Sequence, residues 1–265
     1  MSTVAVPATL DVSGTPGIPF TRLFRVELRK AFDTRAGRWL VGVTVGLALV
    51  AETIFLWVVV AQDEAASYGD FVAASAFVCS ILLPVLGIML VTSEWSQRTA
   101  MTTFSLEPRR MRIVMAKMLA GMALTGFVIV FALAVGLVCN LLYGALQGPI
   151  DWTFGWTGFF GFLITQTFAM LGGFALACLL LNTPAAIVVF FVYKWVLPGL
   201  FALGAAVMAW FDHLVDWIDF QTAQSELYDM PLTGAQWGHL VVSGIIWLVV
   251  PLAIGLWRIQ RAEVK

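Results

Sequence analysis

The sequence predicts an all-α polytopic membrane protein with six spanning helices. An interfacial helix precedes them, a short polar helix lies on the inner side, and a further interfacial helix lies on the outer side. Three observations carry this. Apolar runs of about 20 residues, the length that crosses a hydrocarbon core of ~30 Å, recur along the chain. The 265 residues are 60% hydrophobic and only 12% charged, too little charge for the surface of a soluble domain. The charges are also segregated by sign along the chain.

Residues 1–19 carry Pro, Gly, Thr and Ser and lack the basic and apolar regions of a secretory leader. They read as a flexible tail ahead of a single membrane domain, 20–265. From Phe20 the pattern becomes helical: Phe20, Phe24, Leu28 and Phe32 recur every four residues, and Arg22, Arg25, Arg29 and Lys30 fill the polar face. Such a helix lies along a membrane surface with its cations among headgroups. The spans follow at about Trp39–Ala61, Phe71–Thr92, Arg112–Leu142, Phe159–Leu181, Ala185–Trp210 and His239–Trp257. Between the fourth and fifth, Asn182-Thr183-Pro184 reads as a tight reversal with Thr183 as N-cap. Thr233 and Gln236 fit a capping box that opens the sixth. Within the long connection before it, Phe211, Leu214, Val215 and Ile218 share one helical face, with Asp212, Asp216 and Asp219 away from it. This is an outer interfacial helix that rests at or dips into the outer interface, with Trp210 and Trp217 as aromatic anchors.

Charge sets the orientation, because Lys and Arg are retained on the cytoplasmic side. Arg22, Arg25, Arg29, Lys30, Arg35 and Arg38 precede the first span. Arg98, Arg109, Arg110, Arg112 and Lys117 lie between the cores of the second and third, and Arg258, Arg261 and Lys265 follow the sixth. The other connections hold no Lys or Arg but carry Asp63, Glu64, Asp70, Asp151, Asp212, Asp216, Asp219, Glu226 and Asp229. Six spans with both termini cytoplasmic satisfy every segment.

The chain carries no chemistry of its own that the sequence reveals. There is no phosphate-cradling loop and no H-E-x-x-H. Cys79, Cys139 and Cys178 sit inside apolar runs as small hydrophobes. Asp212, His213 and Asp216 could share a helix face, but an acidic outer surface accounts for them and no metal is expected. Two ionisable residues, Glu52 and Lys194, fall within spans, where a charge requires a partner or water. They could pair with one another or border a route, as could Pro84 and Pro198, which interrupt helical hydrogen bonding. Gly42 and Gly46 form a GxxxG match, which permits close helix approach.

The polar stretch Ser93–Lys117 carries five of the fifteen Lys and Arg residues and is the natural handle for a soluble partner. Glu94, Arg98-Thr99, Phe104-Ser105-Leu106, Pro108-Arg109-Arg110 and Ala116-Lys117 are similar to a degenerate pattern: an acidic residue, a Gly-Thr pair, a Leu-rich turn, a Pro with basic residues and a final Lys. Arg98 stands where Gly is frequent in that pattern. With the order of interfacial helices and spans, the chain from about residue 20 resembles the permease subunit of a bacterial ABC-2 type transporter. That resemblance implies a plasma (inner) membrane location and a dimer, homomeric or heteromeric. It also implies a coupling helix over about Glu94–Leu106, seated in a groove of a separate ATPase subunit. Glu94, Arg98, Thr99, Met101, Thr102 and Phe104 would then form the contact, with Met101 and Phe104 as apolar anchors. ATP and Mg would belong to the ATPase, and this chain would bind no cofactor and no nucleic acid and would not itself be an enzyme. Export by alternating access is the expected activity. An accessory or immunity protein on the same scaffold and a secondary transporter are the alternatives; the latter lacks the inverted repeats it would need.

Overall fold

The computed structural model describes residues 17–97 and 99–261. Most of the expected tail, residues 1–16, and Arg98 therefore lie outside the described residues. Among those described there are helices and no strands. An amphipathic helix α1 (Phe20–Asp33) leads into α2 (Arg35–Gln62). Then come α3 (Tyr68–Ser96), the short α4 (Ala100–Leu106), α5 (Arg110–Gln147) and α6 (Gly155–Leu180). The fifth expected span is a composite: α7 (Thr183–Phe191), a π-helical turn Val192–Val196, and α8 (Leu197–Val207). Helices α9 (Ala209–Ile218) and α10 (Phe220–Ser225) precede a second composite: α11 (Gly234–Gly244), a π-helical turn Ile245–Val249, and α12 (Val250–Arg261). Among the described residues six units are long and apolar enough to cross a membrane, namely α2, α3, α5, α6, α7–α8 and α11–α12, as expected for a multi-pass membrane protein.

Local signals set the boundaries. Ser67 and Asp70 form a reciprocal capping box that starts α3, and Thr233 with Gln236 forms the expected one at α11. The cap of α7 lies one residue earlier than the sequence reading put it. Asn182 Oδ1 accepts from the Ala185 amide, while the Thr183 hydroxyl donates to Thr92 Oγ1 of α3 at 2.7 Å. The interruption expected at Pro198, and a second one at Pro251, take a specific form. A proline ring clashes with the carbonyl four residues back and supplies no N–H. In both composites the helix widens just before the proline: the Leu197 amide bonds Val192 O, and the Val250 amide bonds Ile245 O. The two widened turns meet, with the Tyr193 and Trp247 rings 4.8 Å apart.

The centre of the bundle is the crossing of α3 and α6. Gly87 faces the Met170 carbonyl and Gly173 faces the Pro84 carbonyl so closely that an added Cβ would lie 2.4 and 2.3 Å from those oxygens. Around the crossing pack Leu83, Ile88, Met170, Phe174 and Cys178, all fully buried. Cys79, Cys139 and Cys178 are buried free thiols, matching their reading as core residues. The GxxxG pair behaves differently: nothing lies within 4 Å of a Cβ at Gly42 or Gly46, so this notch is not used among the described residues.

The outer interfacial helix also differs from its expected course. α9 runs back alongside α8, with Phe211 against Gly204 and Phe201. At its end the Trp247 indole donates to Ile218 O at 2.7 Å, and Phe220 packs beside Gly244. Because Gly244 and Trp247 lie 10 and 13 residues along from Gly234, the turn between α9 and α10 sits roughly 15–20 Å in from the acidic end. The segment is a re-entrant pair rather than a helix resting on the surface. Asp219 allows the reversal: buried, it accepts from the Gln221 and Thr222 amides and from the Thr222 hydroxyl, capping α10. Trp210 and Trp217 remain exposed.

Candidate functional site: the braced polar handle

Sequence pointed to Ser93–Lys117, and the structure divides it. Glu94 belongs to the last turn of α3, and the helix stops at Ser96 instead of running on to Leu106. The Gln97 amide returns to Ser93 O at 3.0 Å, and the Thr99 amide closes on Glu94 O at 2.9 Å. Only Ala100–Leu106 is a separate helix.

Glu94 turns inward. Its Oε1 accepts from Lys30 Nζ at 2.7 Å and from Lys117 Nζ at 2.9 Å; Glu27 accepts from the same two ammonium groups, at 2.7 Å each. Two carboxylates and two ammonium groups thus form a closed ring joining α1, α3 and α5. The side chains of Glu27, Lys117 and Glu94 are 6%, 6% and 9% exposed, while Lys30 is the open corner at 39%. Burial alone would lower the Lys30 pKa. The carboxylates of Glu27 and then Glu94 more than reverse that and hold it above its ordinary 10.5. Lys30, expected as a headgroup anchor, is therefore chiefly a ring member, whereas Arg22, Arg25 and Arg29 are exposed as anchors should be.

Sequence reading did not single out Glu27, and it named Lys117 only as the final Lys of the polar stretch, not as a partner of Glu94. The signal was present for Glu27: it lies one turn from both Leu23 and Ala31, on the inward stripe of α1, where an acid needs a buried cation.

Further braces hold the far side of α4. Buried Glu107 accepts from Arg112 Nη1 at 2.8 Å and from the Arg109 amide at 3.3 Å. Arg112 also donates to Ile18 O at 2.6 Å, tying down the entry to α1. Arg110 donates to Ile259 O at 2.8 Å, holding the end of α12, and its guanidinium lies 4.9 Å over the Phe104 ring. Phe104 packs on Trp95 as well, at 6.2 Å between centroids. It faces its own bundle and is not an outward anchor. The apolar groups that α4 presents outward are Met101 and Leu106, 57% and 71% exposed, with Thr102 and Ser105 beside them. Thr99 is exposed at the start of the helix, and Arg98 is outside the described residues. A cavity of about 370 Å³ opens beside the ring, between α1, α2, α3 and α4.

The residues proposed to border a route do not converge. Glu52 is fully buried against Gly136 of α5, and Pro84 is buried in the α3–α6 crossing. Lys194 is half-buried on the widened turn of the fifth unit, its Nζ 3.5 Å from Gln221 Oε1 at the re-entrant tip and 5.7 Å from the Trp195 ring. Pro198 follows it, half-buried. Glu52 and Lys194 therefore do not pair. Gln221, which sequence reading missed, is brought to Lys194 only by the re-entrant course. No group of three metal-ligating side chains occurs among the described residues. No protein-family model and no curated protein matches the chain.

Proposed function

We propose that the chain is the membrane-spanning subunit of an ATP-driven exporter of the ABC-2 type, acting as a dimer in a bacterial inner membrane with both termini cytoplasmic. The observation that carries the reading is α4: a short helix at the basic end with an apolar pair turned outward, braced so that force on it reaches the bundle. The orientation rests on the positive-inside rule, since the ring, α4 and the bases around it occupy one end and the acidic connections the other.

A soluble ATPase that seats Met101 and Leu106 in an apolar groove would push on α4. Phe104 packs on Trp95 of α3 and lies under Arg110 of α5, and Glu94 in the last turn of α3 shares its ring with α1 and α5. Displacement of α4 would move those three helices together, the rigid-body coupling that alternating access requires. The unused Gly42–Gly46 notch on α2 supports a second subunit packing against this one. At the other end, the re-entrant pair and Lys194 would border the exit.

The test is co-purification with a co-expressed ABC-type ATPase subunit. Met101→Asp with Leu106→Asp is expected to weaken the complex and its coupled ATP hydrolysis at least tenfold while leaving the melting temperature unchanged. Phe104→Ala is expected to lower the melting temperature instead, because that ring is part of the bundle. Full retention of complex and coupling by the double variant overturns the reading.

A further inference from the structure

We infer that the cavity beside the charged ring binds a phospholipid with a primary-amine, zwitterionic headgroup, the phosphatidylethanolamine type. The inference does not depend on the transport reading.

The cavity holds about 370 Å³ and is amphipathic along the helix axes. Its charged lining is Lys30 and Glu94 with Glu27 and Lys117, and its aliphatic lining includes Leu40 and Val41 of α2 with Leu86 and Leu90 of α3. Leu90 and Leu86 lie one and about two turns before Glu94, so the apolar wall reaches ~6–12 Å deeper into the bundle than the charges. α1, whose basic face marks headgroup depth, forms the rim through Lys30 and Thr34. Charge at headgroup depth, with aliphatic side chains below it, matches the layering of a lipid and not that of a water-soluble metabolite.

The valences of the ring narrow the headgroup. An ammonium has three N–H donors. Lys30 spends two, on Glu27 and Glu94, and it is the exposed corner, so one donor is left for an acceptor in the cavity. Glu94 takes both lysines on Oε1, and its Oε2 makes no hydrogen bond among the described residues, leaving an acceptor. A phosphate near Lys30 and an ammonium near Glu94 satisfy both at once. A choline headgroup has no N–H to give Glu94. A glycerol headgroup leaves the phosphate charge uncompensated beside two carboxylates. The ring itself is neutral, so a net anionic lipid gains little there, whereas a zwitterion matches it charge for charge.

The experiment uses the full chain, purified in detergent and stripped of lipid, with native mass spectrometry and thermal unfolding as readouts. Dioleoyl phosphatidylethanolamine, phosphatidylcholine and phosphatidylglycerol are added separately, and soluble phosphoethanolamine is the fourth arm. The expected result is one retained phosphatidylethanolamine per chain, at least fivefold over the other two lipids, with a rise in melting temperature. Leu40→Trp, which fills the apolar part, and Lys30→Gln, which removes the free donor, should each abolish that preference. The second variant keeps the test valid should the first not fold. Equal retention of the three lipids overturns the inference, as does an unaltered preference in a folded variant. Protection by phosphoethanolamine alone, equal to that by the lipid, also overturns it by assigning the site to a soluble zwitterion.

Discussion

Lys117 and Glu27 stand 90 residues apart in the chain, and their side chains meet at 2.7 Å in the interior of the basic end. An ion pair so far from water is not a source of net stability, since desolvation offsets most of the attraction. Its consequence is asymmetric: removing one partner strands the other. Lys117→Met should leave Glu27 and Glu94 sharing only Lys30 and destabilise the protein by about 3–5 kcal/mol. Lys30→Met removes the same charge from the open corner, where solvent can replace it, and should cost less, about 1 kcal/mol. Thermal unfolding of the two variants in one detergent checks the order. Equal losses would show that the ring is not buried as described.

The ring also sets a pH dependence. Lys30 is held above its ordinary 10.5 in the folded chain. A group with a raised folded pKa contributes fully below its unfolded value and loses that contribution as pH rises through the folded one. The Lys30 contribution should therefore be unchanged between pH 7 and about 10 and decline only above about 10.5. Comparing melting temperatures of the wild type and Lys30→Met across that range isolates it. The difference should stay constant to about pH 10 and close above 10.5, and closure already by pH 8 would contradict the geometry.

The glycines of the α3–α6 crossing offer a sharper contrast. At Gly87 and Gly173 a methyl group would meet backbone carbonyl oxygens, which cannot rotate away as a side chain can. Gly87→Ala or Gly173→Ala should separate the two helices and cost about 1–3 kcal/mol or more. Gly126, on α5, has nothing within 4 Å of its added Cβ. There the same substitution should be neutral or stabilising by up to ~1 kcal/mol, from helix propensity alone. Denaturation of the three variants side by side is the measurement.

These contrasts show what the sequence could and could not convey. Spans are legible because each needs only its own apolar length, and Thr233 with Gln236 was readable because a capping box is local. Glu94 was readable as special but not as buried: its partners come from α1 and α5, and only tertiary packing brings Lys30 and Lys117 to it. Phe104 was read with Met101 as an outward anchor, but Trp95 and Arg110 turn it inward and leave Leu106, which was not read as a contact, facing outward. The re-entrant pair was hidden for a similar reason. The amphipathic pattern of α9 suits an interface equally well, and its depth follows from Ile218 and Phe220 and their fit against Trp247 and Gly244.

Lys194 depends most on that hidden geometry. Its ammonium has Gln221 Oε1 at 3.5 Å and the Trp195 ring at 5.7 Å, a weak set of partners for a cation within a span. Weak partners make it dispensable for folding and available to a passing group. Lys194→Met keeps the aliphatic stem and removes the charge. The variant should retain the wild-type stability within about 1 kcal/mol and, if the proposed export function holds, lose at least tenfold in transport by reconstituted protein. Lys194→Arg should restore part of it, because the cation matters more than its shape. Gln221→Leu acts in the opposite sense. It leaves the cation without its hydrogen-bond acceptor and should destabilise the re-entrant tip by about 1–3 kcal/mol, seen as faster amide exchange over 218–225. Should Lys194→Met transport as well as wild type, the proposed part of Lys194 in the exit fails and the cation at the re-entrant tip is structural.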